Sequence, residues 1–277
     1  MTLKLMLDGT EYSAMMPEYY FYSTKNGLKE LLDNPYKGHQ DIATLISVLK
    51  EKKEIACKPN NGTGSNGFFK LSYMDEILYI NKDIVSEQDI ETFVKDNPNY
   101  IFTEYLHPET FFASVNPLIH TLRLVTVNPD GNNPRIIGGY LRFGTANHGE
   151  TNHMNKNADS KSQFDFVTKV NINNGHIGNS KSVYFNRVVS TLRHPDSGVL
   201  VDFVIPNWSG LSTMILGISN RFFNIEFMGF DIGVTNNGFK LMEINTHPGI
   251  KYMQIFRSLY EDDWTREWFK RKINARA

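Results

Sequence analysis

The sequence has few of the features that mark secreted, membrane or nucleic-acid-binding proteins. Its 277 residues include one cysteine, Cys57, so no internal disulfide can form, which is typical of a reducing compartment. No run of about 20 apolar residues occurs, and no signal-peptide pattern stands at the start. The net charge of -1 gives no general attraction to a polyanion. We therefore expect a cytoplasmic protein with neither a transmembrane segment nor a nucleic-acid partner.

Helix and strand patterns are mixed along the chain, and several strands are joined as hairpins, which predicts an α+β fold with antiparallel sheets. Residues 1–34 are aromatic and are predicted to be irregular, and the polar residues 144–163 are predicted to form a long loop. The predicted helices cover residues 42–49, 89–94, 209–223 and 254–272. The predicted strands cover residues 54–59, 67–71, 101–106, 121–127, 135–143 and the two arms of a hairpin over 227–245.

A glycine-rich segment follows the strand that ends near Lys58. Glycines at this spacing let the backbone approach a ligand and turn its N–H groups inward, and a lysine beside them would bring a cation to a phosphate. No Gly-Lys-Ser/Thr follows the last glycine, so the segment is not a Walker loop. A flexible hairpin loop with an exposed lysine is the alternative. The residues of this candidate phosphate loop are Lys58, Gly62, Thr63, Gly64, Ser65, Asn66 and Gly67.

The predicted hairpin over residues 227–245 gives the most specific indication of a functional site. Residues 236–238 (Asn-Asn-Gly) predict a three-residue loop that pairs Thr235 with Phe239. Counting outward from that pair places Asp231 opposite Glu243, with their β-carbons about 5 Å apart. Two opposed carboxylates repel each other unless a cation lies between them.

Asn245 lies two residues beyond Glu243 and therefore on the same face of its strand. Hard oxygen ligands of this kind favour Mg²⁺, which takes one or two carboxylates together with substrate phosphates. The alternative is a solvent-facing polar strand, although the apolar residues Ile232 and Ile244 favour a packed hairpin. The pattern predicts that Asp231, Glu243 and Asn245 bind magnesium.

Two arginines lie within strands of apolar pattern, Arg123 in residues 121–127 and Arg142 in residues 135–143. An arginine in such a strand needs an anionic partner, because its charge is costly to bury alone. A salt bridge at the rim of the sheet is the alternative to a bound ligand.

Taken in order, these pieces resemble the ATP-grasp superfamily. More narrowly, the chain is similar to sugar-transfer-associated ATP-grasp proteins, which are related to α-L-glutamate ligases and linked to surface polysaccharide loci. The resemblance covers roughly residues 40 to 257. It rests on Cys57-Lys58-Pro59 with the glycine loop, 102–106 (Phe-Thr-Glu-Tyr-Leu), 121–123 (Thr-Leu-Arg), Arg142, 194–198 (His-Pro-Asp-Ser-Gly), 205–208 (Ile-Pro-Asn-Trp), 229–232 (Gly-Phe-Asp-Ile) and 243–249 (Glu-Ile-Asn-Thr-His-Pro-Gly).

The resemblance implies a role for each matching position. Lys58 would contact the α- and β-phosphates of ATP, and residues 62–67 would form the flap above them. Glu104, Tyr105 and Leu106 would line the adenine edge, and Thr121 would lie near the ribose. Arg123 would face the γ-phosphate and act with Arg142 on the transferring group. Two Mg²⁺ ions would be held by Asp231, Glu243 and Asn245.

The same resemblance implies two α+β subdomains whose antiparallel sheets sandwich ATP. About 50 residues precede Lys58, too few for the α/β domain that usually comes first in the superfamily, so that domain is expected to be reduced or absent. We expect a short extension over residues 1–40, a small nucleotide-binding subdomain over 41–106 and a large subdomain with the metal and substrate site over 107–277.

The loop over residues 144–163 departs from the family pattern of Asp-Asn followed by glycines. It carries Asn147, His148, Asn152 and His153 instead. These side chains would contact substrate or act in acid–base chemistry, or they would only make the loop polar. No Asp-Lys pair precedes Lys58, although related enzymes have one.

The expected activity is an ATP-dependent carboxylate–amine ligase that forms an acyl phosphate. The expected substrates are a sugar-linked or amino-acid carboxylate and an amine, in surface polysaccharide biosynthesis, and a homo-oligomer is compatible with the sequence. The alternatives are a phosphotransferase acting on a hydroxyl and a non-catalytic nucleotide-binding module.

Overall fold

A computed structural model describes residues 2–31, 36, 38, 40–61, 67–146 and 164–274. The chain divides into two units, Met1–His107 and Pro108–Ala277. No helix in these described ranges is long and apolar enough to span a membrane.

A seven-stranded antiparallel sheet forms the first unit, with the strand order β2-β1-β7-β3-β4-β5-β6. Its strands are β1 (Tyr19–Thr24), β2 (Gly27–Glu30), β3 (Glu54–Pro59), β4 (Phe69–Met74), β5 (Ile77–Ile80), β6 (Asp83–Val85) and β7 (Tyr100–Glu104). Its helices are α1 (Thr2–Leu7), α2 (Ile42–Lys52) and α3 (Glu87–Asp96), and Ser13–Met15 is a 3-10 turn.

Local capping explains where the two longer helices of this unit begin. The Asp41 carboxylate accepts a hydrogen bond from the Thr44 N–H at 2.7 Å and starts α2. Ser86 and Asp89 form a reciprocal capping box at the start of α3. Leu49 of α2 and Ile90 of α3 are fully buried and belong to the core of this sheet.

Alternation along β3 gives the first sheet two different faces. Cys57 is fully buried in the core, and burial raises the pKa of its thiol well above its usual range. It is therefore a structural thiol, as its apolar neighbours in the sequence indicate. Lys58 lies on the opposite face, because neighbouring residues of a strand point to opposite sides.

An eight-stranded antiparallel sheet forms the second unit, with the strand order β12-β11-β10-β9-β8-β14-β15 and β13 paired to β11. Its strands are β8 (Thr121–Val127), β9 (Arg135–Phe143), β10 (Phe164–Val170), β11 (His176–Tyr184), β12 (Val188–Ser190), β13 (Phe203–Val204), β14 (Phe227–Thr235) and β15 (Gly238–Asn245). Its helices are α4 (Thr110–Val115), α5 (Trp208–Arg221), α6 (Lys251–Gln254) and α7 (Asp263–Asn274), and Leu259–Glu261 is a 3-10 turn.

The two faces of the second sheet are covered differently. Helix α5 packs on one face, where the Ser219 hydroxyl lies 2.8 Å from the Thr126 hydroxyl. On the other face, which we call the α6 face, Met253 of α6 packs with Val125, Tyr140 and Val167. Strand alternation places Arg123 and Arg142 on this α6 face too, because each is two residues from one of those core positions.

Two sequence-based expectations are corrected by the described residues. Residues 1–34 contain the paired strands β1 and β2, whose turn is closed by Gly27 at φ 108°. The helix predicted over 254–272 is broken, because Ser258 and Glu261 form a capping box that starts a new 3-10 turn before α7. The part of residues 1–40 that forms β1 is hydrogen-bonded to β7 within the first sheet. The predicted three-part division of the chain stays a prediction.

Candidate functional site

One row of side chains crosses the second sheet at right angles to its strands. Glu243 of β15 pairs with Asp231 of β14, and Asp231 pairs in turn with Arg123 of β8. Arg123 pairs on its other side with Tyr140 of β9. Residues directly opposite one another in antiparallel strands point to the same face. The row therefore brings two carboxylates and a guanidinium together on the α6 face.

The opposition of Asp231 and Glu243 confirms the predicted pairing, but the structure reaches it by a different route. Thr235 pairs with Gly238, so the loop has two residues, and the predicted pair of Thr235 with Phe239 is wrong. Gly238 adopts φ 97° while remaining paired in the strand. Met242 is then the extra residue of a β-bulge, which shifts the register by one and restores the predicted pair.

Arg123 and Asp231 form a bidentate ion pair. The Arg123 Nε donates to Asp231 Oδ1, and Nη2 donates to Oδ2 at 2.7 Å. The two side chains are only 14% and 13% exposed. Burial alone would lower the pKa of the Arg123 guanidinium, but its hydrogen bond and charge interaction with Asp231, and a smaller contribution from Glu243, raise it. Arg123 is thus the cation that accompanies the two opposed carboxylates in this structure, on the side of Asp231 away from Glu243.

The donor chemistry of this row, together with Asn245 two residues along β15, fits a magnesium site that is completed by other oxygens. Asp231 and Glu243 offer carboxylate oxygens and Asn245 offers an amide oxygen. The Asn245 amide nitrogen is buried and has no hydrogen-bond partner among the described residues, so its N–H groups could donate to an anionic oxygen of a ligand. In the described ranges no cluster of three or more His, Cys, Asp or Glu side chains is placed to hold a metal. Phosphate oxygens or water would have to complete the coordination.

Gly229 provides the close packing beside this row. It lies two residues before Asp231, on the same face, and a β-carbon at this position would lie 2.4 Å from the Pro248 β-carbon. The same β-carbon would lie 3.4 Å from Arg123 Cδ. The absence of a side chain at Gly229 therefore lets Pro248 and the stem of Arg123 pack over β14.

Arg142 lies diagonally across from Arg123 on the same face, because Arg142 pairs with Thr121 and Tyr140 pairs with Arg123. Diagonal neighbours of this kind are ~7–8 Å apart. The two predicted arginines, and Thr121 with them, are therefore brought close together.

Sequence reasoning missed a pair of residues beside Arg142. The Tyr252 hydroxyl of α6 donates to Asp165 Oδ2 of β10, and the Asp165 side chain is buried. Burial, and then the charge and hydrogen bond of Asp165, raise the pKa of the Tyr252 phenol, while the charge of Arg142 opposes that shift. The Tyr252 ring meets the Tyr140 ring edge to face at 5.3 Å. The signal that could have found the pair was an aspartate within an apolar strand.

The predicted nucleotide residues of the first unit lie on or beside its central strands. Lys58 is on β3, and Glu104 ends β7, where its carboxylate accepts from the Glu18 N–H at 3.1 Å. Gly67 has φ 78°, and a β-carbon there would lie 2.5 Å from the Tyr100 hydroxyl. Position 67 therefore favours glycine, because the backbone has a positive φ and little space remains for a side chain.

Tyr105 follows β7 and its ring lies against a lysine that sequence reasoning did not select. The Lys70 ammonium is 4.5 Å from the centre of the Tyr105 ring and also forms an ion pair with Glu54. Glu54 in turn lies 2.6 Å from His107 Nε2. Leu106 is half-buried next to this cluster in sequence. Lys70 pairs with Ala56, two residues from Lys58, so the two lysines share one face of the first sheet.

Two sets of predicted residues lie outside the described residues. They are residues 62–66 of the glycine loop and residues 147, 148, 152 and 153 of the predicted 144–163 loop. Their predicted roles stay predictions.

Comparison with protein families gives a match to the family described as sugar-transfer associated ATP-grasp, over residues 14–261. The chain belongs to this family. Its α+β architecture with two antiparallel sheets is thus an ATP-grasp fold. No curated protein matches the chain significantly.

Several solved structures are distantly similar to this ATP-grasp chain. D-alanyl-alanine synthetase A from Vibrio cholerae is 13% identical, with a TM-score of 0.43 over 90% of this chain and 55% of its own. D-alanine–D-alanine ligase from Bacillus anthracis is 13% identical, with a TM-score of 0.41 over 89% and 56%. Macrocyclase MdnC from Microcystis aeruginosa, bound with precursor peptide MdnA, is 10% identical, with a TM-score of 0.41 over 92% and 56%. The chain spans about half the length of the solved structures it matches.

Proposed function

We propose that this ATP-grasp chain is an ATP-dependent carboxylate–amine ligase that works through an acyl phosphate. Its carboxylate substrate would be a sugar-linked carboxylate or an amino acid, and its second substrate an amine. Family membership supports the nucleotide, and the description of the family as sugar-transfer associated supports the sugar link. A place in surface polysaccharide biosynthesis, in the cytoplasm, is part of the same proposal. The observation that carries the proposal is the Glu243–Asp231–Arg123 row on the α6 face.

We assign magnesium binding to Asp231, Glu243 and Asn245, with two ions as the expected number. Magnesium, when bound, neutralises charge on the phosphates and on the transferring group. The two hydrogen bonds from the cationic Arg123 weaken the attraction of the Asp231 carboxylate for a metal ion, so Asp231 would be a stronger ligand after releasing one of them. The backbone of Arg123 would then stay in place while its guanidinium exchanges the Asp231 carboxylate for a phosphoryl oxygen as hydrogen-bond acceptor.

Arg142 is the second arginine assigned to the transferring group. Its diagonal position relative to Arg123 supports this role, because two guanidinium groups on one face can contact different oxygens of one phosphoryl group. Stabilisation by one well-placed arginine contributes on the order of 10³–10⁵ in rate in other phosphoryl-transfer enzymes. The carboxylate substrate attacks the γ-phosphorus, the bond to the β,γ-bridging oxygen breaks, and ADP leaves. The amine then attacks the acyl carbon and phosphate leaves.

In the first unit we assign phosphate contacts to Lys58 and to the glycine loop, residues 62–67. Glu104, Tyr105 and Leu106 are assigned to the adenine, and Thr121 of the second unit to the ribose. The position of Lys58 on the face of the first sheet away from the buried Cys57 supports its assignment. Lys70, on the same face, is a further candidate for a phosphate contact.

A screen with hydroxylamine as the amine tests this function. Uronic acids, other sugar acids and amino acids are offered with ATP and Mg²⁺, and both ADP and hydroxamate are measured. A ligase gives hydroxamate in proportion to ADP, because hydroxylamine captures the acyl phosphate. ADP without hydroxamate, together with a phosphorylated product, would identify a phosphotransferase and refute the proposal. Glu243→Gln should abolish both signals, while the matched exposed variant Glu267→Gln on α7 should keep them.

A further inference from the structure

A turn formed by residues 193–198 has no role in the reaction described above, although its sequence is part of the family resemblance. The His194 N–H donates to the Val199 carbonyl at 2.8 Å, and the Gly198 N–H donates to the His194 carbonyl at 2.8 Å. Gly198 adopts φ 69°, and Arg193 Nη1 donates to its carbonyl at 2.9 Å. The turn is therefore held closed by its own backbone and by Arg193, and the side chains of His194 and Asp196 contact residues outside the turn.

The His194 ring is buried and points at the backbone that follows β9. Its Nε2 lies 2.8 Å from the Gly144 carbonyl, to which it must donate. Its Nδ1 faces the Ser197 hydroxyl at 3.3 Å and therefore accepts. The neutral tautomer with a proton on Nε2 satisfies both contacts.

A second buried histidine meets the same glycine from the other side. The Gly144 N–H donates to His120 Nδ1 at 3.4 Å, and His120 Nε2 lies 2.9 Å from the Phe112 carbonyl. Both polar groups of the Gly144 backbone are thus bonded to imidazole rings. A β-carbon at Gly144 would also lie 3.2 Å from Asn116 Oδ1, so this backbone is closely surrounded.

A carboxylate of the same turn holds the next residues. Asp196 Oδ2 accepts from the Ala146 N–H at 2.7 Å. The 193–198 turn and His120 therefore bond to a stretch of three residues, from Gly144 to Ala146, that begins two positions after Arg142. Gly144 directly follows Phe143, the last residue of β9, so the contacts act on the end of the strand that carries Arg142.

We propose that His194, Asp196 and His120 are positioning residues that hold residues 144–146 and, through them, the end of β9 that carries Arg142. His194 and His120 fix Gly144 through its carbonyl and its N–H, and Asp196 fixes Ala146. The catalytic consequence for Arg142 rests on the proposed function, whereas the fixing of residues 144–146 does not.

Asp196→Ala is the variant that tests this, because Asp196 is exposed and its loss does not open the core. Asp202→Ala is the matched control, since Asp202 is also exposed and its carboxylate accepts one hydrogen bond, from His176 Nε2 at 2.7 Å. Amide hydrogen exchange is followed in the peptide covering residues 141–146. Loss of one hydrogen bond should speed exchange there roughly fivefold in Asp196→Ala and leave it unchanged in Asp202→Ala. Equal exchange in the two variants would overturn the proposal.

His194 gives an independent second arm. His194→Gln keeps an amide donor near the Gly144 carbonyl and should keep most of the protection, whereas His194→Leu should lose it at temperatures where the rest of the unit stays protected. In the hydroxylamine assay, Asp196→Ala should lower kcat while the KM for ATP stays within twofold of the wild type. A wild-type chain that releases no ADP with any carboxylate would refute the proposed function, and the exchange result would still decide the role of the turn.

Discussion

Arg123 of β8 and Asp231 of β14 form a bidentate ion pair with two hydrogen bonds, although they are 108 positions apart in the chain. The pair lies within a sheet row that also contains Glu243, and it is largely buried. Burying an isolated carboxylate or guanidinium would cost desolvation free energy, and each of these two charged groups offsets that cost for the other. In the proposed ligase, Arg123 and a metal ion would compete for the Asp231 carboxylate.

Replacing Arg123 by methionine separates two effects of the ion pair, its contribution to stability and its competition with a metal ion for Asp231. In the presence of EDTA, Arg123→Met should lower the free energy of unfolding by about 3 kcal/mol, because Asp231 is left buried beside Glu243 without its partner. Without nucleotide, Mn²⁺ should bind about tenfold more tightly than to the wild type, because Arg123 no longer competes for Asp231. Urea titration and the electron paramagnetic resonance of free Mn²⁺ measure the two effects.

The control for Arg123 is Arg135→Met. Arg135 is an exposed arginine at the start of β9 that stacks on Trp264 at 4.6 Å, far along the strand from Arg142. The Arg135→Met substitution should change the affinity for Mn²⁺ by less than about twofold. Weaker Mn²⁺ binding in Arg123→Met than in Arg135→Met would show that Arg123 does not compete with a metal for Asp231.

Gly229 is predicted to be intolerant of even one added methyl group. Gly229→Ala would place a β-carbon 2.4 Å from Pro248 and so push apart β14 and the segment after β15. We expect a loss of about 1–3 kcal/mol in unfolding free energy, with weaker Mn²⁺ binding in the presence of a non-hydrolysable ATP analogue. Gly249→Ala is the matched control, because its β-carbon would meet nothing within 4 Å. Equal stability of the two variants would contradict the packing described for Pro248.

Tyr252→Phe tests the buried contact that anchors α6 to β10. The change removes the only atom of Tyr252 that donates to Asp165 and leaves the ring in place. We expect a loss of about 2 kcal/mol in urea unfolding, since Asp165 is buried. Tyr260→Phe, at a residue 42% exposed, should change stability by less than about 0.5 kcal/mol. A Tyr252→Phe variant as stable as Tyr260→Phe would mean that the contact adds nothing to folding.

His120 should make the stability of the second unit depend on pH. Burial lowers the pKa of His120 from 6.5 to about 4, although its hydrogen bond to the Phe112 carbonyl acts in the opposite direction. The unfolded chain therefore binds more protons than the folded chain between these values, so stability is fully present above pH 6.5 and is lost as the pH falls towards 4. The loss from this residue is roughly 3 kcal/mol. Unfolding free energies at pH 7.5, 6 and 5 should converge between the wild type and His120→Gln as the pH falls, and parallel curves would contradict the assignment.

The sequence predicts local pairing better than loop geometry. Strands β8 and β9 begin and end where their alternation predicts, and the pairing of Asp231 with Glu243 is confirmed. That pairing was derived from a loop one residue longer than the real one, and the bulge at Met242 compensates for the difference. A bulge leaves no signal in the alternation of so short a strand, which is why register counting alone did not find it.

Contacts between distant segments account for most of what sequence reasoning missed. The apolar pattern around Arg123 predicts an anionic partner, but nothing local identifies Asp231 as that partner, because it depends on β8 lying next to β14. The bond from Tyr252 to Asp165 likewise depends on where α6 folds over the sheet. The aromatic segment that contains β1 gives no clear strand pattern, because β1 is buried by pairing with β7, about 80 residues later in the chain.

The most direct test of the proposed ligase follows oxygen from the carboxylate substrate. A carboxylate labelled with ¹⁸O, chosen from those that support hydroxamate formation, is turned over with ATP, Mg²⁺ and its amine. An acyl phosphate route predicts one ¹⁸O atom in each phosphate released, because the oxygen that attacked the γ-phosphorus leaves with it. Phosphate free of ¹⁸O, with ADP still formed, would contradict carboxylate activation by this chain.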